Sequence, residues 1–177
     1  MKKTTCILLA FLFALCLPLT SCISPDVEEP KTPVIPEGYV TYDNDDISFV
    51  YPEAWKVTDG SVVIIVNESG VGNNITVSYE AASDMYSTMT ADSFNTTLKP
   101  MFESAGLSVS GVKVEQVENE LSTKITKIAY TAVASGVQMK QTMFICAAGS
   151  RNYIVTVTET TNDSALVNNV FNTLAVK

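Results

Sequence analysis

Residues 123–160 read TKITKIAYTAVASGVQMKQTMFICAAGSRNYIVTVTET, and the reading of this stretch decides the fold. Three long runs rich in β-branched and aromatic residues are separated by Ser135-Gly136 and by Gly149-Ser150-Arg151. Short Gly-containing breaks between such runs are hairpin connections, so the runs predict consecutive antiparallel strands. In the last one Tyr153, Val155 and Val157 alternate with threonines, the period of two that places one face of a strand on a core. Ser108 to Val117, just upstream, extends the meander to four strands.

Outward from the meander the pattern changes period. Phe94, Leu98, Met101, Phe102 and Ala105 recur at helical spacing behind Thr90, a good N-cap, with Asp92 in the first turn and Gly106 as a stop. Pro100 falls inside this pattern and predicts a kink or a split near Lys99. Downstream, Leu166, Val167, Val170, Phe171 and Leu174 form one stripe of a second helix, capped by Asp163 or Asn162. Upstream, Tyr39–Asp43 and Ile47–Tyr51 flank Asn44-Asp45-Asp46 and predict a hairpin, with Pro52 ending its second strand. Ser61–Asn67 reads as a buried strand, Ile75–Glu80 as an alternating one, and Gly70 to Asn74 as the turn between them. Hairpin, strands, helix, meander and helix in that order predict an α+β fold, with helices packed on a mainly antiparallel sheet.

The N-terminal segment is of another kind. Met1-Lys2-Lys3 precedes an uncharged apolar run, Ile7–Leu19, which is shorter than the ~20 residues a helix needs to cross a bilayer. A basic start before a short apolar run is a secretory signal. It ends Leu19-Thr20-Ser21-Cys22, which resembles the lipobox of bacterial lipoproteins. The resemblance implies that residues 1–21 are a lipoprotein signal peptide and that Cys22 carries a diacylglyceryl thioether. Two acyl chains hold a protein on a membrane where one does not. Residues 22–37 then hold the lipidated cysteine and an acidic tether with Pro25, Pro30, Pro33 and Pro36 among Asp26, Glu28, Glu29 and Glu37. Proline fixes φ and like charges repel, so the tether is expected to be extended and solvated, reaching up to about 45 Å. Residues 38–177 form a single globular domain in this reading.

Composition excludes several functions. The chain carries 11 Lys plus Arg against 19 Asp plus Glu. Lys2 and Lys3 leave with the signal and no acid does, so 9 bases against 19 acids carry −10. Such a charge is repelled by polyphosphate and by anionic lipid, which argues against nucleic-acid binding and against electrostatic docking on membranes. Membrane contact is then expected through the lipid on Cys22 alone. Of four cysteines only Cys146 belongs to the domain, so an internal disulfide is impossible there. The chain has no histidine, which removes the usual general base, the usual zinc ligand and the third member of a hydrolase triad.

The sequence ISFVYPEAWKV, residues 47–57, is similar to the opening signature of PsbP-like domains: a strand ending in Tyr-Pro, with Trp55 shortly after. The order of elements behind it and the closing Tyr153–Thr158 and Phe171–Leu174 segments are similar as well. The resemblance to this PsbP-like (DcrB/PsbP) superfamily implies an α/β/α sandwich around a mainly antiparallel sheet. It implies a scaffold for protein contacts and no common reaction, since fold alone does not set function.

Asp43-Asn44-Asp45-Asp46 clusters oxygen ligands suited to Ca2+, yet it lacks the glycine and the distal Glu of an EF-type loop, and Asn and Asp are ordinary turn residues. Ser110-Gly111-Val112-Lys113 matches Ser-x-x-Lys without the companion motifs and lies in a strand. Cys146 lacks a histidine to activate it and shares a strand face with Phe144, which reads as a core thiol. Gly70-x-Gly72 lacks the Lys and following helix of a phosphate loop. Glu115, Glu118 and Glu120 read as a solvated strand and turn, not as a glycosidase pair. Trp55, Arg151 and Tyr153 are the residue types of a partner surface, though each also has a plain structural reading: Trp55 as a cap on the core edge, Arg151 as a solvated turn residue. The expectation is therefore a lipid-anchored extracytoplasmic protein with no catalytic, cofactor or metal site, contacting another envelope protein. The alternatives are a small-molecule-binding lipoprotein linked to uptake and a His-free hydrolase.

Overall fold

The structure, a computed structural model, describes residues 31–68, 72–161 and 163–177. Cys22, the signal segment and most of the tether lie outside the described residues, as do Gly70 and Asn162.

The meander forms as expected. Strands β6 (Ser108–Glu118), β7 (Lys124–Ala134), β8 (Val137–Ala148) and β9 (Arg151–Glu159) pair in sequence order, all antiparallel. The β7–β8 turn is two residues long, and Ser135 and Gly136 both have positive φ, +50° and +80°. That matches the turn hand that suits the right-handed strand twist. β5 (Asn74–Ala81) pairs with β9, and β4 (Val63–Val66) and β3 (Lys56–Thr58) continue outward. The result is one seven-stranded antiparallel sheet in the order β3-β4-β5-β9-β8-β7-β6. The Ser61–Asn67 strand is shorter than expected, and β3 was not anticipated, since its three residues are too few for a periodic signal.

The other strands form a second sheet. β1 (Tyr39–Asp43) and β2 (Ile47–Pro52) make the expected hairpin, and β10 (Ala175–Val176) adds to the far side of β2. This small sheet and the helix α3 (Ser164–Thr173) cover one face of the large sheet. Their core holds Ile47, Phe49, Phe144, Val155, Leu166, Val170 and Leu174, each at most 1% exposed. The other face is covered by α1 (Ala91–Thr97) and α2 (Lys99–Ser104). Thr90 caps α1 through Ser93 N at 3.2 Å, and Ser93 Oγ accepts from Thr90 N at 2.8 Å. Pro100 splits the helical pattern at Leu98 and sits in the first turn of α2, where its missing N–H costs nothing. Phe94, Phe102 and Tyr130 stack in a triangle with ring centroids 5.7–6.0 Å apart.

The expected α/β/α sandwich is therefore corrected. Strand makes up 50% of the described structure and helix 16%, so the fold is mainly β, built on two antiparallel sheets. The helical layers are thin, and on one face a second sheet shares the work of covering the core. The longest described helix has ten residues, and none is long and apolar enough to cross a membrane.

The chain crossing between β5 and β6 positions the site. Four steps of antiparallel pairing separate these strands, so they run parallel and need a long crossover. Residues 82–90 begin it, passing over the lower end of β9, β8, β7 and β6 before α1 climbs the sheet face.

Candidate functional site

Two features stand out at the lower end of the large sheet, one on each face. The first joins Arg151 and Tyr153, two of the expected partner residues, to Asp46 and Tyr79. Tyr79 and Tyr153 are direct cross-strand partners, and Arg151, opposite Ala81, is the diagonal neighbour of Tyr79. The guanidinium lies over the Tyr79 ring, 4.4 Å from its centroid, and the two tyrosine rings stand 5.7 Å apart. Asp46 arrives from the β1–β2 turn. Its Oδ2 accepts from the Tyr153 hydroxyl at 2.5 Å and from Arg151 Nη1 at 3.4 Å. Burial, and then the hydrogen bond to Asp46, raise the Tyr153 pKa above that of a free phenol. Arg151 and Tyr79 remain exposed, Tyr79 by 55%. Tyr153 itself is buried, with its ring against Tyr79 and its hydroxyl tied to Asp46. Trp55 takes part in none of these contacts and is half-buried against the core beside β2.

The turn residues that suggested a cation site point in different directions. Asn44 Oδ1 accepts from the backbone N–H of Asp46 at 2.9 Å and of Ile47 at 2.8 Å, an Asx turn. Asp43 pairs with Lys177 at 2.5 Å, and Asp46 faces Tyr153 and Arg151. Among the described residues no group of three or more carboxylates or thiols stands together as a ligand set. Ser110 and Lys113 lie in β6, on either side of a register shift, as the strand reading expected. Cys146 is buried beside Phe144, and burial pushes its thiol up to about 12. Glu115 and Glu118 sit three positions apart on one strand, so they project to opposite faces, and Glu120 lies beyond the strand end.

The second feature is a groove of about 510 Å3 on the opposite face, under the 82–90 crossover. The crossover is pinned by side chains of the sheet. Gln116 Nε2 donates to the Tyr86 carbonyl at 3.0 Å, and the Thr126 hydroxyl lies 2.9 Å from the same oxygen. Asn152 Nδ2 donates to the Ser83 carbonyl at 3.1 Å. Burial, and then a hydrogen bond to Glu80, raise the Tyr86 phenol well above its usual range. Ile145 and Ala147 supply apolar lining, and Asp84, Glu118 and Lys124 stand at the exposed walls. No local pattern in the sequence shows this groove, because its lining comes from five separate segments, and of these residues only Glu118 is a candidate by sequence.

A second cavity, about 520 Å3, lies where the described end of the tether meets α3 and the β6–β7 turn, lined by Pro33, Pro36, Leu121 and Asn172 among others. Pro33 and Pro36 are half-buried, so this end of the tether rests on the domain and is not fully solvated.

No protein-family model matches the chain, and no curated protein matches it. Solved structures with a similar fold include a Bacteroides thetaiotaomicron VPI-5482 protein at 14% identity and TM-score 0.46, aligned over 74% of this chain and 45% of that one. The chain thus spans under half the length of that relative. LpqN, involved in cell envelope biogenesis of Mycobacterium tuberculosis, aligns at 10% identity and TM-score 0.42 over 78% of this chain and 89% of its own. PA94 of Pseudomonas aeruginosa, of unknown function, aligns at 17% identity and TM-score 0.38 over 68% and 82%. These are distant likenesses of fold.

Proposed function

We propose that the chain is a non-enzymatic binding lipoprotein, held by lipid on Cys22 at the extracytoplasmic side of a membrane and contacting another envelope protein. One observation carries the contact: Arg151, the chain's single arginine, is exposed yet preorganised over the exposed ring of Tyr79 and tied to Asp46. Arg and Tyr are the side chains that dominate protein interfaces, and a guanidinium already fixed in place loses little entropy on binding. The acidic balance and the missing histidine support a binding role over a hydrolytic one. The PsbP-like resemblance of residues 47–57 belongs to this reading, as a scaffold for protein contacts.

The test is crosslinking capture of the lipidated protein from its own cells, followed by mass spectrometry. Wild type is expected to bring down a reproducible envelope partner. Cys22→Ala is expected to move the protein off the membrane, and Arg151→Ala with Tyr79→Ala to lose the partner while staying anchored. Capture that is indifferent to Arg151 and Tyr79 would sink the assignment of the surface.

A further inference from the structure

We infer that the groove under the 82–90 crossover binds a small zwitterion, an amino acid or short peptide with a free ammonium and a free carboxylate. The inference concerns the opposite face of the sheet from Arg151 and stands apart from the envelope-partner reading.

The groove is built, not left over. Its crossover roof is held by the exposed Gln116 and the buried Thr126 and Asn152 through the Tyr86 and Ser83 carbonyls, so its width is set by the sheet. At about 510 Å3 it falls in the range of small-molecule sites. On its floor Asn152 is 4% exposed. Its Nδ2 is spent on Ser83, while its Oδ1 accepts none of the hydrogen bonds among the described residues. No fully buried side-chain oxygen among them lacks a partner, so Asn152 Oδ1 opens into the groove as an unused acceptor.

The charged groups on the walls are also unspent. Glu118 and Lys124 are direct cross-strand partners. Neither pairs with Lys56, Glu68, Lys99, Glu103, Arg151, Asp46, Lys177 or Asp43, which pair among themselves, and neither does Asp84. Asp84 beside Asn152 and Lys124 two strands across the sheet are placed to take the two ends of a ligand that carries both signs. Asp84, which follows the Ser83 that Asn152 holds, and Asn152 Oδ1 offer acceptors to an ammonium, which is all donor. Lys124 offers donors to a carboxylate. A simple anion meets two carboxylates against one ammonium and is repelled, and a simple cation meets Lys124. A zwitterion satisfies both walls, and being neutral it does not contend with the charge of the whole molecule. Ile145 and Ala147 leave room for a small apolar side chain.

The probe is L-alanyl-L-alanine, titrated calorimetrically into the full-length lipidated protein in detergent micelles. Its N-acetyl and C-terminal amide forms are titrated beside it. Saturable binding of the free dipeptide is expected with Kd at or below about 1 mM, equivalent to about −4 kcal/mol. Acetylation and amidation are each expected to weaken it at least about tenfold. Asp84→Asn is expected to weaken the free dipeptide to a similar degree, and so is Lys124→Met. Both side chains are exposed and make no hydrogen bond or ion pair to a described residue, so these variants keep the fold, which circular dichroism checks. No saturable binding of the free dipeptide overturns the proposal. So does equal binding of the blocked forms, or wild-type affinity in both variants.

Discussion

The hydroxyl of Tyr153 donates a 2.5 Å hydrogen bond to Oδ2 of Asp46, 107 positions away in the chain. Tyr153 belongs to the large sheet and Asp46 to the turn of the small one, so this bond clamps the two sheets at their lower end. Arg151 completes the cluster from its exposed side. The cluster thus has a structural role beside the binding role proposed for it.

That clamp is measurable. Tyr153→Phe removes the donor and leaves the ring packing intact, and Asp46→Asn removes the charge. Each is expected to lower stability by about 1–2 kcal/mol, because solvent screening at this partly exposed site reduces the ~1.5–3 kcal/mol of a bond to a charged group. In urea denaturation the double variant should cost less than the sum of the two singles. Strict additivity would show that the two residues do not stabilise each other.

Cys146 and Tyr130 make the fold sensitive to alkali. Burial holds the thiol up to about 12 and the Tyr130 phenol up to about 12, against ordinary values of 9.0 and 10.0. Both groups are kept neutral by the fold while the unfolded chain ionises earlier. Their contribution is fully present below pH 9 and is lost as pH rises from 9 towards 12. The urea midpoint should therefore fall across that window, less steeply in Cys146→Ala. At pH 8 the native thiol should not react with a thiol reagent, and the denatured one should.

Asn119 is a buried tie between the meander and the last helix. Its Nδ2 donates to the carbonyls of Phe171 and Leu174 at 2.8 and 2.7 Å, and its Oδ1 accepts from the N–H of Leu121 and Thr123 at 3.0 and 3.1 Å. Asn119→Ala strands several buried backbone groups at once and is expected to cost about 2–4 kcal/mol in urea denaturation. A loss under about 0.5 kcal/mol, typical of a surface site, would contradict this.

The β7–β8 turn holds a correctable strain. Ser135 has φ of +50°, which asparagine tolerates better than serine, and Asn-Gly is the favoured pair for this turn. Ser135→Asn should raise the thermal midpoint, corresponding to about 0.5 kcal/mol. An unchanged or lowered midpoint would place the strain elsewhere.

Much of this molecule was determined by sequence alone, and the physical reason is locality. The alternation in Tyr153–Val157 and the turns at Ser135-Gly136 and Gly149-Ser150 are properties of a few neighbouring residues, so the four strands of the meander and their antiparallel order follow from the chain. Thr90, Pro100, Gly106 and Asp163 likewise mark helix ends through their own backbone chemistry, and the structure ends its helices at or beside them. Cys146 was legible as a core thiol because Phe144 shares its face.

What only the tertiary structure decided is which distant segments meet. A period of two says which side chains share a face, but nothing in it says that β9 pairs with β5 or that the β1–β2 hairpin joins β10 as a second sheet. Short elements such as β3 and β10 have no periodic signal, and β10 forms only because β2 offers it an edge. The sandwich expectation failed on this point. Asp46, an oxygen ligand in a turn by its sequence, is in the fold the partner of Tyr153 and Arg151, while Trp55 sits on the core edge. The groove exists because the crossover from β5 to β6 carries residues 82–90 over Asn152, Thr126 and Gln116. Those contacts span 30 to 69 positions, and no local pattern records them.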